Sequence, residues 1–429
     1  MSAHERKIPQ FLIAAPSSGS GKTTVSIGLM QCLAQRGLKV QPFKCGPDYI
    51  DTKFHQKVCN APSYNLDTYF ASPEHIRNIF AEHSQNADVC IVEGMMGLFD
   101  GYSRSKGSAS EIASILNLPV ILVVDAKSTA YSLAPLLKGF KDYSNNVNII
   151  GVIFNKVGSP RHRKMLEEVC QDINLEPLGF IPKAKEAENK SRYLGLDFSA
   201  MQMADSAAKL VEGNVDIDRL LRLTEKPVPE FSSPLKIKGN HKVLVACNEE
   251  SFSFIYQEHL DGWNNAVFFN PEEDKEIPQD IDLLYLPGGY PEKHLESLSK
   301  CRKTMESIRQ FAEGGGKILA ECGGMMYLCK SIIADEGEFP MCGVLPFCIT
   351  ARTEDRKLCL GYRSFTYSGL DFKGHEFHYT SFADNNPDSV AEVFDARGNT
   401  TATPIIRIKN TITSYTHLYW GYKDIFGIF

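Results

Sequence analysis

The first residues whose type and spacing suit chemistry stand in a loop near the start of the chain. Residues 11–24 read FLIAAPSSGSGKTT, a strand, a small-residue loop and the beginning of a helix. Small residues allow backbone N–H groups to surround an anion, and the helix N-terminus adds partial positive charge. The pattern predicts a nucleotide site in which Lys22 reaches the outer phosphates and the Thr23 hydroxyl binds Mg²⁺. The nucleotide-binding residues predicted in this loop are Gly19, Ser20, Gly21, Lys22, Thr23 and Thr24.

The loop departs from the general pattern G-x-x-x-x-G-K-[ST] at one position, because Pro16 stands at its first Gly. The alternative interpretation is a flexible Gly/Ser turn, but the strand before it and the helix after it favour the nucleotide site. Asn155 follows a later predicted strand and is a candidate for hydrogen bonding a purine edge. An ordinary turn Asn is the alternative there.

Acidic residues follow two further predicted strands, in KCGPDYID (44–51) and VEGMMGLFDG (92–101). A carboxylate at the carboxyl end of a parallel strand, beside a phosphate loop, is where a Mg²⁺ ligand is needed. We therefore predict Asp48 and Glu93 as metal ligands with Thr23; helix or turn caps are the alternative. The residues predicted to contact the substrate or assist phosphoryl transfer are Lys44, Asp48, Tyr49, Asp51 and Asp100.

A second reactive pattern lies in the C-terminal half. Residues 317–327 read KILAECGGMMY, a strand, then Cys322 on a tight turn, then a helix. This resembles a nucleophile elbow, and we expect the helix N-terminus to favour the thiolate. His417 follows a short strand and is the candidate base. Alone, each residue is more typical of a buried structural group; together with the Gly loop at 287–290 they favour catalysis.

Alternating strands and helices position these residues. Strands are predicted at 11–15, 39–44, 89–92, 120–124, 149–154 and 178–181, and helices at 22–35, 110–116, 131–139 and 160–171. Such alternation predicts an α/β fold with a parallel sheet and ligands at the carboxyl ends of its strands. A Pro- and Ser-containing stretch at 224–241 predicts a linker between domains 1–223 and 242–429. Strands of the second domain are predicted at 242–247, 266–269, 281–286 and 317–320, with a more antiparallel tail from 358.

The composition excludes several classes of protein to which the chain could belong. The 429 residues are 43% hydrophobic and 23% charged, with net charge −6. This is ordinary globular usage, and it argues against a chain-wide nucleic-acid or membrane surface. The longest apolar runs are far shorter than the roughly 18 residues of a membrane span. Twelve scattered Cys without a C-x-x-C pair, and a short apolar run at the start, predict a reduced cytoplasmic protein.

The motifs together resemble the CobB/CobQ family of glutamine-dependent amidotransferases over nearly the whole chain. The matching segments, in the family's order, are APSSGSGKTT, KCGPDYID, VEGMMGLFDG, YLPGGYPE, AECGGMMYL, GHEFHYT and SYTHLYW. The resemblance implies an N-terminal P-loop parallel-sheet ATPase domain similar to dethiobiotin synthetase. It also implies a C-terminal class I glutamine amidotransferase domain with a flavodoxin-like α/β fold.

The resemblance further implies a reaction. Cys322 and His417 would release ammonia from L-glutamine, with the amides of Gly289 and Gly323 as oxyanion hole. ATP and Mg²⁺ in the first domain would activate the c and a acetate carboxylates of cobyrinate as acyl phosphates, in cobalamin biosynthesis. Hydrogenobyrinate and nickel-sirohydrochlorin are alternative tetrapyrrole substrates, and a homodimer is a further expectation. Tyr419 stands where ordinary class I glutaminases carry Glu, and the resemblance implies a Cys–His dyad instead. The family usually carries another His at this position, so Tyr419 is a variant there as well.

Two interpretations of other classes remain. A partitioning-type P-loop ATPase carries a signature Lys four residues before the last Gly of the loop, where this chain has Ser17. It also lacks a glutaminase domain. A protein with an inactive glutaminase half is disfavoured by Cys322, His417 and the Gly loops. No role follows from the sequence for GHEFHYT (374–380).

Overall fold

The computed structural model describes residues 6–183, 198–231, 239–384, 386–421 and 423–429. The chain divides into two compact units, Met1–Leu235 and Lys236–Phe429. The boundary falls inside the stretch 224–241, which the sequence predicts as a linker. No helix in the described ranges is long and apolar enough to span a membrane.

The first unit alternates strands and helices from its beginning. Its elements are β1 (Lys7–Ala14), α1 (Lys22–Gln35), β2 (Val40–Cys45), α2 (Ile50–Cys59), β3 (Tyr64–Leu66), α3 (Pro73–Ser84), β4 (Val89–Glu93), α4 (Ala109–Ile115), β5 (Val120–Asp125), α5 (Leu133–Asp142), β6 (Ile149–Val157), α6 (Pro160–Ile173), β7 (Glu176–Pro182), α7 (Phe198–Glu212), α8 (Ile217–Leu223) and β8 (Glu225–Pro227). The sheet order is β3-β2-β4-β1-β5-β6-β7, and neighbours along this path are parallel. The predicted parallel sheet is confirmed.

Alternation along the central strand β1 explains why helices cover both faces of this sheet. Leu12 and Ala14 belong to the apolar cluster on one face, and Phe11 and Ile13 belong to the cluster on the other. Successive side chains of a strand point to opposite faces, so a continuously apolar strand needs cover on both sides. The carboxyl ends of β1, β2 and β4 then lie side by side at one edge, which brings their loops together.

The described part of the linker stretch differs in one respect from expectation. Glu225–Pro227 form β8, which pairs antiparallel with the start of β1 at Lys7–Pro9. A strand of three residues is too short to show a recognisable pattern. Pro227 also argues against a strand in the sequence, because proline is tolerated only at strand edges. Residues 232–238 of the stretch lie outside the described ranges.

The described residues of the second unit form one larger sheet and two small ones. Its elements are β9 (Gly239–Ala246), α9 (Gln257–Asp261), β10 (Trp263–Phe269), β11 (Leu283–Leu286), α10 (Leu295–Lys300), α11 (Arg302–Glu313), β12 (Ile318–Glu321), α12 (Gly323–Leu328), β13 (Ser331–Ala334), β14 (Gly337–Pro340), β15 (Cys348–Thr350), β16 (Cys359–Tyr367), β17 (Leu370–His378), β18 (Ser381–Phe382), β19 (Phe394–Asp395), β20 (Ile406–Ile408), β21 (Thr411–Ser414) and β22 (Thr416–Tyr419). The larger sheet runs β10-β9-β11-β12-β21-β20, parallel except for the pair β20–β21. It confirms the α/β prediction for this half.

The tail of the second unit is largely antiparallel, as expected from its sequence. The strands β19-β16-β17-β22 form one antiparallel sheet, and β14-β13-β15-β18 form a mixed one. Since β21 and β22 are separated by a single residue, the end of the larger sheet passes directly into the antiparallel one. This junction lies beside the end of β12, where Cys322 follows.

Candidate active sites

The phosphate loop of the first unit joins β1 to α1 through backbone conformations that suit glycine. Gly19 and Gly21 have φ of +82° and +92°, which residues with a Cβ rarely adopt. The Asn155 amide group donates to the Ser20 carbonyl at 3.0 Å, and a Cβ at Gly21 would collide with it. Asn155 thus holds the loop in place. The sequence prediction of a purine contact did not include this role.

The buried carboxylate of Glu93 lies at the centre of the site behind this loop. Its Oε1 accepts from the Thr23 hydroxyl at 2.7 Å, from Lys44 Nζ at 3.1 Å and from Lys22 Nζ at 3.4 Å. Its Oε2 is 2.9 Å from Nε2 of His55. Glu93 and His55 are fully buried. At the end of β4, both lysines and the Thr23 hydroxyl of α1 therefore surround one carboxylate.

The charges in this cluster stabilise one another. Burial alone would raise the pKa of Glu93, but Lys44 and Lys22 hold it well below its usual value. Burial alone would lower the pKa of Lys44, but Asp51 and Glu93 raise it above its usual range. Burial and the neighbouring Lys44 lower the pKa of Lys22. At neutral pH the site thus keeps a charged Glu93 and a charged Lys44 without water contact.

The remaining predicted acids of the first unit divide into two groups. Asp51 Oδ2 lies 2.6 Å from Lys44 Nζ, and Asp48 Oδ2 lies 4.0 Å from it. Burial and Asp48 raise the pKa of Asp51 to about 6. Asp48 Oδ1 also accepts from the backbone N–H groups of residues 50 and 51 at the start of α2. Asp100 instead accepts from the Gly97 N–H at 3.0 Å, which stabilises a local turn.

The oxygen donors present at this edge fit a magnesium ion. Thr23, Asp48 and Glu93 offer a hydroxyl and two carboxylates, which are the ligands that Mg²⁺ takes together with phosphate oxygens and water. Tyr49, which directly precedes α2, is buried beside this acidic segment. The structure thus places Lys22, Thr23, Lys44, Asp48, Asp51 and Glu93 in one cluster.

His55 and Asn65 also belong to this site, and neither is predicted from the sequence. His55 Nδ1 is 3.1 Å from the Ser63 hydroxyl, so the ring bridges that hydroxyl and Glu93. Asn65 donates to the carbonyls of residues 46 and 48 and so holds the β2–α2 loop. A signal for His55 did exist, because it stands four residues after Asp51 and thus on the same helix face.

In the second unit, Cys322 occupies a strained turn between β12 and α12. Its backbone has φ +45° and ψ −106°, and its N–H donates to the Ser414 carbonyl at 2.8 Å. Non-glycine residues at positive φ are uncommon and are concentrated at functional turns. A Cβ at Gly324 would collide with the Leu286 backbone, so the helix can follow the turn this closely only with glycine there. This is the elbow geometry that the sequence predicts.

Burial decides the protonation of the thiol itself. Burial raises the pKa of Cys322 well above its usual value, and Glu292 adds to this effect. The Gly323 N–H lowers the pKa of the thiol but does not compensate for burial. The N–H group at the start of the helix favours the thiolate, as the sequence predicts, but burial outweighs this effect and the pKa of the thiol stays high. The reason is that the short α12 cannot offset the loss of solvation in a site where Cys322 is 2% exposed.

His417 lies on β22, opposite His375 of β17, and is buried. Burial, followed by the nearby His375 and His378, lowers the pKa of His417 to about 3. The resting site consequently holds a neutral imidazole and a protonated thiol. A neutral imidazole is the form that can accept a proton, but a pKa this low makes His417 a weak base at rest, because a general base works best with a pKa near the working pH. The Gly288 backbone packs directly on the ring, where a Cβ would lie 2.7 Å from Nδ1.

The two glycines that the resemblance assigns to an oxyanion hole are neighbours. A Cβ at Gly323 would lie 2.9 Å from the carbonyl oxygen and 3.0 Å from the amide nitrogen of Gly289. Gly289 has φ +157°, and a Cβ there would lie 2.5 Å from the Glu250 carbonyl oxygen. Glycine at both positions therefore allows the two loops to meet beside Cys322. Their role toward an oxyanion stays a prediction.

The segment GHEFHYT (374–380) now has a structural place. The Phe377 carbonyl faces the thiol of Cys322 at 3.8 Å. His378 stands 2.7 Å from Glu376 Oε1 and 2.7 Å from the Thr380 carbonyl, and it stacks on Tyr415. The segment thus forms the wall of the thiol site.

Two further buried acids of this unit are not predicted from the sequence. Glu321 accepts from the Tyr285 hydroxyl at 2.8 Å and the Leu418 N–H at 3.0 Å, and so ties β22 to β12. Glu258 accepts from the hydroxyl of Tyr419, the residue that replaces the usual Glu. Neither acid belongs to a recognisable motif, so no sequence signal identified them.

One unit carries a phosphate loop, and the other carries a buried Cys322 on an elbow and a buried His417 on the nearby strand β22, which are the features of an amidotransferase with its own nucleotide-binding unit. The CobQ/CobB/MinD/ParA nucleotide binding domain matches residues 11–196, and the CobB/CobQ-like glutamine amidotransferase domain matches residues 254–425. The chain belongs to the CobB/CobQ family of glutamine amidotransferases.

Relatives with full-length similarity carry two names. The chain is 38% identical over 389 residues to a cobyrinate a,c-diamide synthase of Caldanaerobacter subterraneus subsp. tengcongensis, covering 86% of each chain. It is 37% identical over 425 residues to a hydrogenobyrinate a,c-diamide synthase of Rhizobium meliloti, covering 95% of this chain and 98% of the relative. A cobyrinate a,c-diamide synthase of Priestia megaterium is 35% identical over 437 residues, covering 96% and 94%.

Proposed function

We propose that the chain is an a,c-diamide synthase, which uses ATP and glutamine to convert two acetate carboxylates of a corrinoid into amides. The observation that carries this proposal is the presence, in one chain, of the Glu93 cluster behind a phosphate loop and of Cys322 on an elbow, with a buried His417 on β22. The names of relatives that match over nearly the full length support the substrate class.

The second unit supplies ammonia in this proposal. The Cys322 thiol gives its proton to His417 while the sulfur attacks the side-chain amide carbon of glutamine. The oxyanion is stabilised by the amides of Gly289 and Gly323. The proton on His417 then passes to the leaving nitrogen, ammonia departs, and water hydrolyses the thioester to glutamate. A neutral imidazole, which the low pKa of His417 ensures, is the form that this first step requires.

The first unit consumes the ammonia. A carboxylate oxygen of the corrinoid attacks the γ-phosphorus of ATP, ADP leaves, and ammonia then displaces phosphate from the acyl phosphate. Lys22 and Lys44 supply positive charge near the transferred group. A magnesium ion held by Thr23, Asp48 and Glu93 would neutralise phosphate charge when bound. His55 holds the Glu93 carboxylate, and Asn65 holds the loop that carries Asp48.

The experiment is an amidation assay that offers cobyrinate, hydrogenobyrinate or nickel-sirohydrochlorin with ATP, Mg²⁺ and glutamine. Mass spectrometry counts the amides formed on each ring. We expect two amides on cobyrinate and a lower kcat/KM with the other two rings. Efficient turnover of another ring alone would reassign the substrate, and hydrolysis of ATP without amide formation on any ring would contradict the proposal. Homodimerisation and a cytoplasmic location stay predictions.

A further inference from the structure

Glu292 lies next to the thiol site but has no role in the mechanism above. It stands in the short turn Pro291–Lys293, directly after the Gly288–Gly289 loop. Its Oε2 is shielded from solvent and accepts no hydrogen bond from the described residues. A buried carboxylate oxygen without a partner is unfavourable unless a ligand provides a donor or a positive charge. Glu292 is therefore a candidate ligand contact.

The turn that carries Glu292 packs against the nucleophile. A Cβ at Gly323 would lie 2.8 Å from Cδ of Pro291, so the residue before Glu292 touches the residue after Cys322. After burial, the negative charge of Glu292 is the strongest influence on the thiol, and it opposes thiolate formation. A permanent negative charge here would hinder the reaction. A cationic ligand group beside Glu292 removes that hindrance at the moment when the substrate is bound.

The charged side chains near Glu292 already have other partners. Lys293 Nζ donates to Glu250 and lies 4.5 Å from the centre of the Tyr290 ring. Arg356, which also acts on Glu292 electrostatically, donates to the Ala351 carbonyl at 3.4 Å. Burial raises the pKa of Glu292 to about 7, in spite of Lys293 and Arg356. The carboxylate thus gains from a further cation.

We propose that Glu292 receives the α-ammonium group of glutamine and so selects the free amino acid as the ammonia donor. This inference rests on the proposed glutaminase function of the second unit. Glutamine carries its α-ammonium three carbons from the amide carbon that Cys322 attacks, so a carboxylate in the adjacent turn suits its length. The same contact cancels the charge that opposes the thiolate, and substrate binding therefore activates the nucleophile.

The test compares glutamine with glutaramate, which has the same amide but no α-amino group. Ammonia release is measured with the full-length wild-type chain and with Glu292→Gln. We expect the ratio of kcat/KM for glutamine to that for glutaramate to fall by about 10- to 100-fold in the variant, as expected for losing a charge-assisted hydrogen bond. An unchanged ratio, with both substrates slowed equally, would overturn the inference.

Two further variants serve as controls. Glu296→Gln removes an exposed carboxylate of the same unit whose partner is Lys300, so the ratio should stay at the wild-type value. Glu292→Asp keeps the charge and should retain part of the discrimination. Iodoacetamide should alkylate Cys322 faster in Glu292→Gln, because a negative charge has been removed; slower alkylation would contradict the inference. Failure of the wild-type chain to release ammonia from glutamine, while added ammonia still supports amidation, would instead contradict the glutaminase function itself.

Discussion

The backbone of Gly288 lies directly against the imidazole of His417. A Cβ at position 288 would collide with Cε1 of the ring and lie 2.7 Å from Nδ1. His417 is 1% exposed and its ring lies beside that of Phe254, so the ring can move away only by displacing packed neighbours. The position of His417, the proposed base, thus depends on residue 288 having no side chain, although the two residues are more than a hundred positions apart in the sequence.

Gly288→Ala should therefore disable the glutaminase. A misplacement of about 1 Å at a reacting group can cost roughly 100-fold in rate, and we expect a loss of at least that order in ammonia release from glutamine. The activity with added ammonia should remain within about twofold of the wild-type value. Gly139→Ala is the matched control, because nothing lies within 4 Å of a Cβ there. Equal activity of the two variants with glutamine would refute the packing argument.

Lys44→Met should destabilise the first unit. The substitution leaves Glu93 and Asp51 without their shared cation, and breaking a buried ion pair in this way costs about 3–5 kcal/mol. Urea unfolding, followed by a probe in the first unit, measures the loss. Lys138→Met removes an exposed pair with Asp142 and should cost less than about 1 kcal/mol. Equal costs for the two substitutions would show that the cluster does not depend on Lys44.

The double variant Lys44→Met with Glu93→Gln separates charge from packing. If the uncompensated carboxylate causes the loss, the neutral Gln should restore part of the stability that Lys44→Met removes. Phosphoryl transfer should stay absent, since both groups belong to the proposed nucleotide site. A further loss that simply adds to the first would contradict the electrostatic explanation.

The raised pKa of Glu321 predicts that the stability of the second unit depends on pH. Burial raises its pKa to about 8, from 4.5 for an exposed Glu. The folded chain therefore holds a proton that the unfolded chain loses, so stability is full below about pH 4.5 and falls as pH rises to about 8. The shift corresponds to a loss on the order of 5 kcal/mol. Unfolding of wild type and Glu321→Gln across this range measures it.

Glu321→Gln should lose less stability than wild type between these pH values, because it has no proton to release. Gln can still accept from the Leu418 N–H and can donate to the Tyr285 oxygen, so the hydrogen bonds that tie β22 to β12 are kept. The difference between the two proteins isolates Glu321 from the other titrating groups. Parallel stability curves would contradict the raised pKa.

The sequence predicts the elements with strong local signals. The helix Lys22–Gln35 is found with the expected bounds, because a Gly loop precedes it and its apolar content is continuous. Cys322 on its turn was equally recognisable, since the strand, the turn and the Gly residues are contiguous. In contrast, β8 is too short for a pattern, and its pairing with β1 links residues more than two hundred positions apart.

Burial was the main property that the sequence could not provide. The expected thiolate at Cys322 follows from local geometry alone, whereas the raised pKa follows from the strands packed around it. The sequence predicts that Asn155 faces a base, whereas its amide contacts the phosphate loop, 135 residues earlier in the chain. The roles of His55 and Glu292 likewise follow from side-chain placement, which one sequence does not specify.

The central claim is that one chain holds two separable sites, a glutaminase and an ATP-dependent amidating site. The most direct measurement compares amidation supported by glutamine with amidation supported by ammonia in Cys322→Ala and Lys22→Ala. We predict that Cys322→Ala loses only the glutamine-supported reaction, while Lys22→Ala loses both. Loss of both reactions in a folded Cys322→Ala chain, or full activity of Lys22→Ala, would contradict the account.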